Sequence, residues 1–393
     1  MTEQHPALAG QPIYLDYNAT TPVDPRVVEA LLPILTGDFG NPSSGHSFAD
    51  APSRALARAR RQVAALIGAT HDEIVFVGSG SEADALGIRG AVLARAGEVA
   101  GRPHVITQVT EHPAVLAACQ TLENWHDVDV TYLPVNRDGV VDPAHVEAAI
   151  TPRTVLVTIM HANNETGTIQ PVTDIAAIAR THGALLHSDA AQTAGKIDVD
   201  VNQLGVDLLT LVGHKMYAPK GVAALYVRNG VSLEPLIGGG GQERGLRAGT
   251  ENVAFAVALG AAADLASAAL QTGEPQRLAR LRDDLAGDLA ARLPGRVHIH
   301  GHPEHRLPHT LNLRIDGVPA RELLASAHGL AASTGSACHT GEDDPSTGIQ
   351  ALGLTRKEAL TAIRLSLGRW TTRDDVTAAA ALLAKAARVH LGR

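Results

Sequence analysis

Cysteine is nearly absent from this chain. Two residues in 393, Cys119 and Cys338, exclude a disulfide-built scaffold and a cysteine-rich zinc site. Basic blocks are missing as well. The 33 Lys and Arg are outnumbered by 41 Asp and Glu, so nucleic acid is not an expected partner. No run reads as long and apolar enough to cross a bilayer, so no membrane partner is expected. The start, Met1-Thr2-Glu3-Gln4-His5-Pro6, lacks the charged-then-apolar order of a secretion signal. Of the 19 histidines, five fall between His298 and His309, yet no H-E-x-x-H spacing occurs. That cluster reads as a polar loop, with no metal site. The expectation is a cytoplasmic globular protein, long enough for two domains.

Short β-branched runs alternate with amphipathic stretches between about residues 70 and 230. Strands are expected at Ile74–Val77, His104–Thr107, Val128–Leu133, Val155–Met160, Leu185–His187, Leu208–Val212 and Val222–Val227. Helices are expected at Ser81–Ala96, Pro113–Trp125 and Pro171–His182. Such alternation predicts an α/β domain on a largely parallel sheet, whose ligands gather at the carboxyl ends of the strands. Beyond Gly238–Gly241 the pattern changes to two long Ala/Leu-rich helices, about Val253–Leu270 and Pro275–Leu293. Short strands near Thr310–Ile315 and Ile363–Leu367 and a last helix after Thr372 complete a smaller α+β unit.

Reactive residues sit at the strand ends. Ser188-Asp189-Ala190-Ala191-Gln192 follows one apolar run and Gly213-His214-Lys215 another. An amine and a carboxylate so placed suit pyridoxal phosphate, the lysine binding the aldehyde and the aspartate facing the pyridine nitrogen. A lysine after a Gly-His turn is otherwise a plain surface cation. Gly78-Ser79-Gly80-Ser81-Glu82-Ala83 opens a helix after a strand, as an anion-binding loop does. It also fits a G-x-G-x-x-A dinucleotide fingerprint with Glu98 as the ribose ligand, or a simple turn. Hydride chemistry would leave Asp189, Lys215 and Cys338 without a task.

Cys338 lies in Gly335-Ser336-Ala337-Cys338-His339, among small residues that imply an exposed thiol, more readily ionised beside a histidine. Cys119, at helical spacing in Val115-Leu116-Ala117-Ala118-Cys119, reads as a buried small hydrophobe. Arg364 interrupts the apolar run Ala362-Ile363-Arg364-Leu365. It needs a partner, either a structural carboxylate or a substrate carboxylate.

Tyr14-Leu15-Asp16-Tyr17-Asn18, Gly40-Asn41-Pro42-Ser43-Ser44 and Asn163-Asn164-Glu165-Thr166-Gly167 add to these motifs, as does the Gly-rich loop running to Thr250. Taken together, nearly end to end, they resemble the cysteine desulfurases of the class V aminotransferase family, in the NifS/IscS-like group. Several wordings also resemble selenocysteine lyase. The resemblance implies the type I fold of pyridoxal phosphate-dependent transferases, with a mostly parallel seven-stranded sheet. It implies a segment 1–20 packing with the small domain, a cofactor-binding domain over 21–259 and a small α+β domain over 260–393. It assigns Lys215 to the covalent link with pyridoxal 5'-phosphate, Asp189 to the ring nitrogen, Gln192 to the ring oxygen and His112 to the ring face. Gly80, Ser81 and His214 would bind the phosphate, joined by Thr250 from the second subunit of a homodimer. Asn164 and Arg364 would grip the carboxylate of L-cysteine, and Cys338 would be the nucleophile. The implied products are L-alanine and a Cys338 persulfide, for delivery to an acceptor protein such as an iron–sulfur scaffold. Selenocysteine lyase and a class V aminotransferase are the alternatives. Val212, Ala85 and Ala218 depart from the pattern, and Val212 replaces a phosphate-binding serine.

Overall fold

The computed structural model describes residues 4–334 and 344–392. Among the described residues, twelve strands form three sheets. The large one runs β2 (Ile74–Val77), β8 (Ala223–Val227), β7 (Leu208–Val212), β6 (Leu185–Asp189), β5 (Thr154–Thr158), β3 (His104–Gln108), β4 (Asp129–Leu133) in spatial order. Only β8 is antiparallel to its neighbours, so the other six point one way. β2, β3, β5, β7 and β8 are buried at every position. Helices on both faces leave no wet side, which is why these strands read as unbroken apolar runs.

Capping sets the helix starts. His112 and Asp142 accept from backbone N–H groups ahead of Pro113 and Pro143, where proline's missing donor is harmless. Two further helices, Pro25–Thr36 and Asp50–Leu66, precede the first sheet strand; the alternation read from residue 70 onward does not include them. Both pack on the helix Val253–Gln271. That helix corrects one expectation: it is 19 residues long, and a mean hydropathy of 1.9 over an 18-residue stretch of it is enough to cross a membrane. Here it is a core helix instead, with Val253, Val257, Leu259 and Ala263 buried in the large core.

A second core gathers around the antiparallel sheet of β9 (Val297–His300), β10 (Thr310–Ile315) and β12 (Ala362–Ser366). The helices Glu274–Arg292 and Arg373–Leu391 cover it. Leu15 belongs to this core, and β1 (Ile13–Tyr14) pairs with β11 (Leu330–Ala331). The polar-loop reading of the histidine cluster needs correction at its start. His298 and His300 lie in β9, where His300 Nδ1 is 2.8 Å from Asn312 Oδ1 and His298 Nε2 is 2.8 Å from Asp316 Oδ2. The strand turns Ile299 outward and His300 inward, the reverse of what hydropathy suggests.

Candidate active site

The carboxyl ends of β6 and β7 meet the starts of other segments at one place. Lys215 closes a single tight turn, Gly213–Lys215, directly after β7. Its Nζ donates to the carbonyls of Asn18 at 2.5 Å and Ala19 at 2.8 Å. Burial lowers this amine to about 8, helped by the Arg364 charge and opposed by Asp189 and Asp16. Asp189 ends β6, buried, and its Oδ1 accepts the Ala191 N–H at 2.8 Å. Burial raises its pKa, while His112, that N–H and Lys215 pull the other way.

His112 caps the helix Pro113–Trp125, its Nδ1 accepting the Ala114 N–H at 3.2 Å. Burial lowers its pKa, against the pull of Asp189. One side-chain atom from each of Asp84, His112 and Asp189 lies within 4.8 Å of the others. Gln192 is buried and donates to the Asn18 carbonyl at 3.1 Å, so Asn18 ties Gln192 to Lys215.

The helix Gly80–Arg95 opens beside the end of β7. Ser79 caps it by accepting the Glu82 N–H, and Glu82 in turn accepts the Gly78 N–H at 2.7 Å. Gly80 and Ser81 form its first turn. A Cβ on Gly80 would lie 2.6 Å from Val212 Cγ2, so only glycine fits there beside that valine. His214 reaches Thr20 Oγ1 at 3.1 Å, and burial with Lys215 and Lys220 nearby lowers it to about 4.

Arg364 in β12 is buried. Its Nη2 donates to Asp16 Oδ1 at 2.8 Å and its Nη1 to the Asn164 carbonyl at 3.0 Å. The structural partner weighed for Arg364 is therefore present, as Asp16. Thr250 stands apart, exposed at the end of the Gly-rich loop and without a hydrogen bond to the other site residues described. That loop is moored by Arg247, whose Nε donates to Glu82 Oε1 at 2.8 Å. Cys338 lies outside the described residues. Cys119 is fully buried, and burial pushes its thiol up to about 12, as an inert core residue.

Sequence reasoning missed five residues here. Asn18 and Asp16 stand in a quoted motif, but nothing in its wording says that a backbone carbonyl would hold the lysine. Lys196 sits four residues after Gln192 and is lowered to about 7 by burial, with Lys215 and Arg364 adding to this. That spacing could have flagged it. Asp84 and Glu111 are buried acids beside Asp189, and burial raises both, Glu111 to about 8. Asp84 Oδ1 and Glu111 Oε2 have no hydrogen-bond partner.

An open parallel sheet with a lysine, an aspartate and a helix start at its carboxyl edge defines a class of protein, and comparison with known families agrees. The aminotransferase class-V family model matches residues 13–378, and the chain belongs to that family. Within it, the chain is 46% identical over 366 residues to a cysteine desulfurase of Trichormus azollae, covering 93% of this chain and 90% of that one. A solved NifS-like protein superposes with a TM-score of 0.88 at 33% identity, covering 96% of this chain and all of that one. A structure described as SspA in complex with cysteine superposes at 0.79 with 37% identity, over 91% of this chain and 99% of that one.

Proposed function

We propose that this protein is a pyridoxal phosphate-dependent cysteine desulfurase, converting L-cysteine to L-alanine and passing the sulfur to Cys338. The observation that carries this reading is the pairing of Lys215 and Asp189 at the ends of adjacent strands, with His112 beside them. The donor set fits the cofactor. It offers an amine, a buried carboxylate, an imidazole, an amide and a helix N-terminus at one end of the sheet.

Bound pyridoxal phosphate supplies an electron sink for a carbanion at the substrate Cα. Lys215 would hold the cofactor, with Asp189 toward its ring nitrogen, Gln192 toward its ring oxygen and His112 toward its ring. Gly80, Ser81 and His214 receive the phosphate, and Thr250 of a second subunit joins them. Arg364 and Asn164 orient the substrate carboxylate; Arg364 keeps further N–H donors beyond those that Asp16 and Asn164 occupy. Once substrate binding releases its amine, Lys215 takes the Cα proton, and an amine near 8 is suited to that task. The Cys338 thiolate then attacks the substrate sulfur. An S–S bond forms, the Cβ–S bond breaks with its electron pair on carbon, a proton is added at Cβ, and the proton that Lys215 took returns to Cα to complete L-alanine. Cys338 is left as a persulfide for an acceptor protein, an iron–sulfur scaffold being one candidate.

We read the chain as two domains, the division falling after the helix Val253–Gln271 rather than near residue 259 because that helix is buried in the first core along its length, with segment 1–20 packed on the second, acting as a cytoplasmic homodimer. The test is L-alanine formed from L-cysteine, with and without reductant, for wild type and Cys338→Ser. Alanine in step with sulfide, lost at least a hundredfold in the variant, is the expected result. Alanine unaffected by the substitution overturns the persulfide step. Turnover of L-selenocysteine alone would favour the lyase instead.

A further inference from the structure

The turn that presents Lys215 is held in an unusual backbone conformation. Tyr217, two residues on, has φ +66°, the left-handed region that a bulky residue seldom occupies. The turn demands it. The Gly213 carbonyl accepts the N–H of Met216 at 2.8 Å and of Ala218 at 3.1 Å, so the chain must double back between them. Both backbone groups of Tyr217 are tied to the segment before the first long helix. Its N–H donates to Thr21 Oγ1 at 2.9 Å and its carbonyl accepts the Asp24 N–H at 3.0 Å. The Thr21 hydroxyl closes the circuit by donating to the His214 carbonyl at 3.0 Å.

The Tyr217 side chain is gripped from the other core. Arg369 follows β12, and its backbone N–H donates to Tyr217 Oη at 2.8 Å. Its guanidinium lies 4.2 Å from the centre of the Tyr217 ring and donates to Asp24 Oδ2 at 2.6 Å. Trp370 meets the same ring edge-on at 5.3 Å. Arg277 pins this loop from the helix Glu274–Arg292, donating to the carbonyls of Thr371 at 2.8 Å and Arg369 at 2.9 Å. Tyr217, Arg369 and Asp24 are buried, which strengthens a cation stacked on an aromatic face.

We propose that Arg369 is a positioning residue for Lys215. Stacked on Tyr217 and paired with Asp24, it holds the turn in its left-handed form and so aims the lysine amine at the cofactor. Without the clamp, Tyr217 relaxes to negative φ, the bond from Ala218 to Gly213 is lost, and Lys215 swings from its place. A planar guanidinium suits this site in a way an ammonium does not, because it stacks and pairs at once. The proposal rests on reading Lys215 as the cofactor-bearing amine.

The test uses cofactor-loaded protein and follows loss of bound pyridoxal phosphate by its absorbance, together with the pH midpoint of that band. Arg369→Gln should lose cofactor about tenfold faster, the cost of a left-handed bulky residue no longer held. It should also shift the pH midpoint. The double variant Arg369→Gln with Tyr217→Gly should return to within about threefold of wild type, since glycine takes positive φ freely. A residue that merely stabilised the fold would not be rescued by deleting a second buried side chain. If Arg369→Gln does not fold, Arg369→Lys keeps the charge near Asp24 without the stacking, and should show the same direction and the same rescue. Retention and midpoint equal to wild type in the single variant, or no rescue in the double, overturns the clamp. A wild-type chain that takes up no pyridoxal phosphate would overturn the proposed function as well.

Discussion

Lys215 is placed at an electrostatic disadvantage, and that disadvantage is measurable. Its amine falls from 10.5 to about 8 on folding, chiefly through burial. Between those values the unfolded chain binds more protons than the folded one, so stability rises with pH across that window. Each unit of depression opposes folding at neutral pH by about 1.4 kcal/mol. In cofactor-free protein, the wild-type melting temperature should therefore gain on that of Lys215→Met by roughly 2–4 °C between pH 8 and 10. A constant difference across that range would mean that the amine titrates as it does in water. Lys215 and Asp189 were legible in the sequence because each ends an apolar run, where a charged residue is conspicuous. Asp84 and Glu111 were not. One lies inside a helix and the other next to a conspicuous histidine, and only burial shows that they flank Asp189.

Elements meet closely at the helix Gly80–Arg95 and the end of β7. Val212 Cγ2 fills the space that a side chain on residue 80 would need. Gly80→Ala should therefore weaken pyridoxal phosphate binding at least about tenfold, since a contact of that length forces the helix start to shift. Val212→Ala in the same chain should restore much of the loss, measured as the Kd from absorbance titration. An additive double variant would show that the two side chains do not compete for space. The strands of the large sheet were readable because burial on both faces makes them continuously apolar. β9 was not, because its inward residue is a histidine satisfied by Asn312 rather than an apolar side chain. The helix Val253–Gln271 misled in the opposite sense, since a core helix and a membrane span share one composition.

The whole molecule leaves an apolar face uncovered. Val28, Leu32 and Leu35 line the outer side of the helix Pro25–Thr36, each at least 38% exposed. Phe39 and Phe48 are also exposed, their ring centres 5.8 Å apart. A face of this kind on a folded chain marks an interface, and the proposed second subunit would cover it. If the proposed dimer forms through this face, Leu32→Asp combined with Phe48→Asp should give a monomer in light scattering, and activity should fall with it as the proposed contribution of Thr250 to the second subunit's site is lost. A monomeric wild type would remove this reading and with it the role given to Thr250. The amino-acid sequence alone determined the kind of chemistry, since an amine, a carboxylate and a glycine-opened helix at strand ends are local patterns with local causes. It also determined most of the large sheet, through burial-driven apolar runs. Tertiary structure alone decided that the carbonyls of Asn18 and Ala19 hold Lys215, that Asp16 occupies Arg364 and that Arg369 grips the lysine turn. Those contacts join residues nearly 200 to 350 positions apart in the first two cases and about 150 in the third. No periodicity records such meetings; only the packing of two cores against each other brings them about.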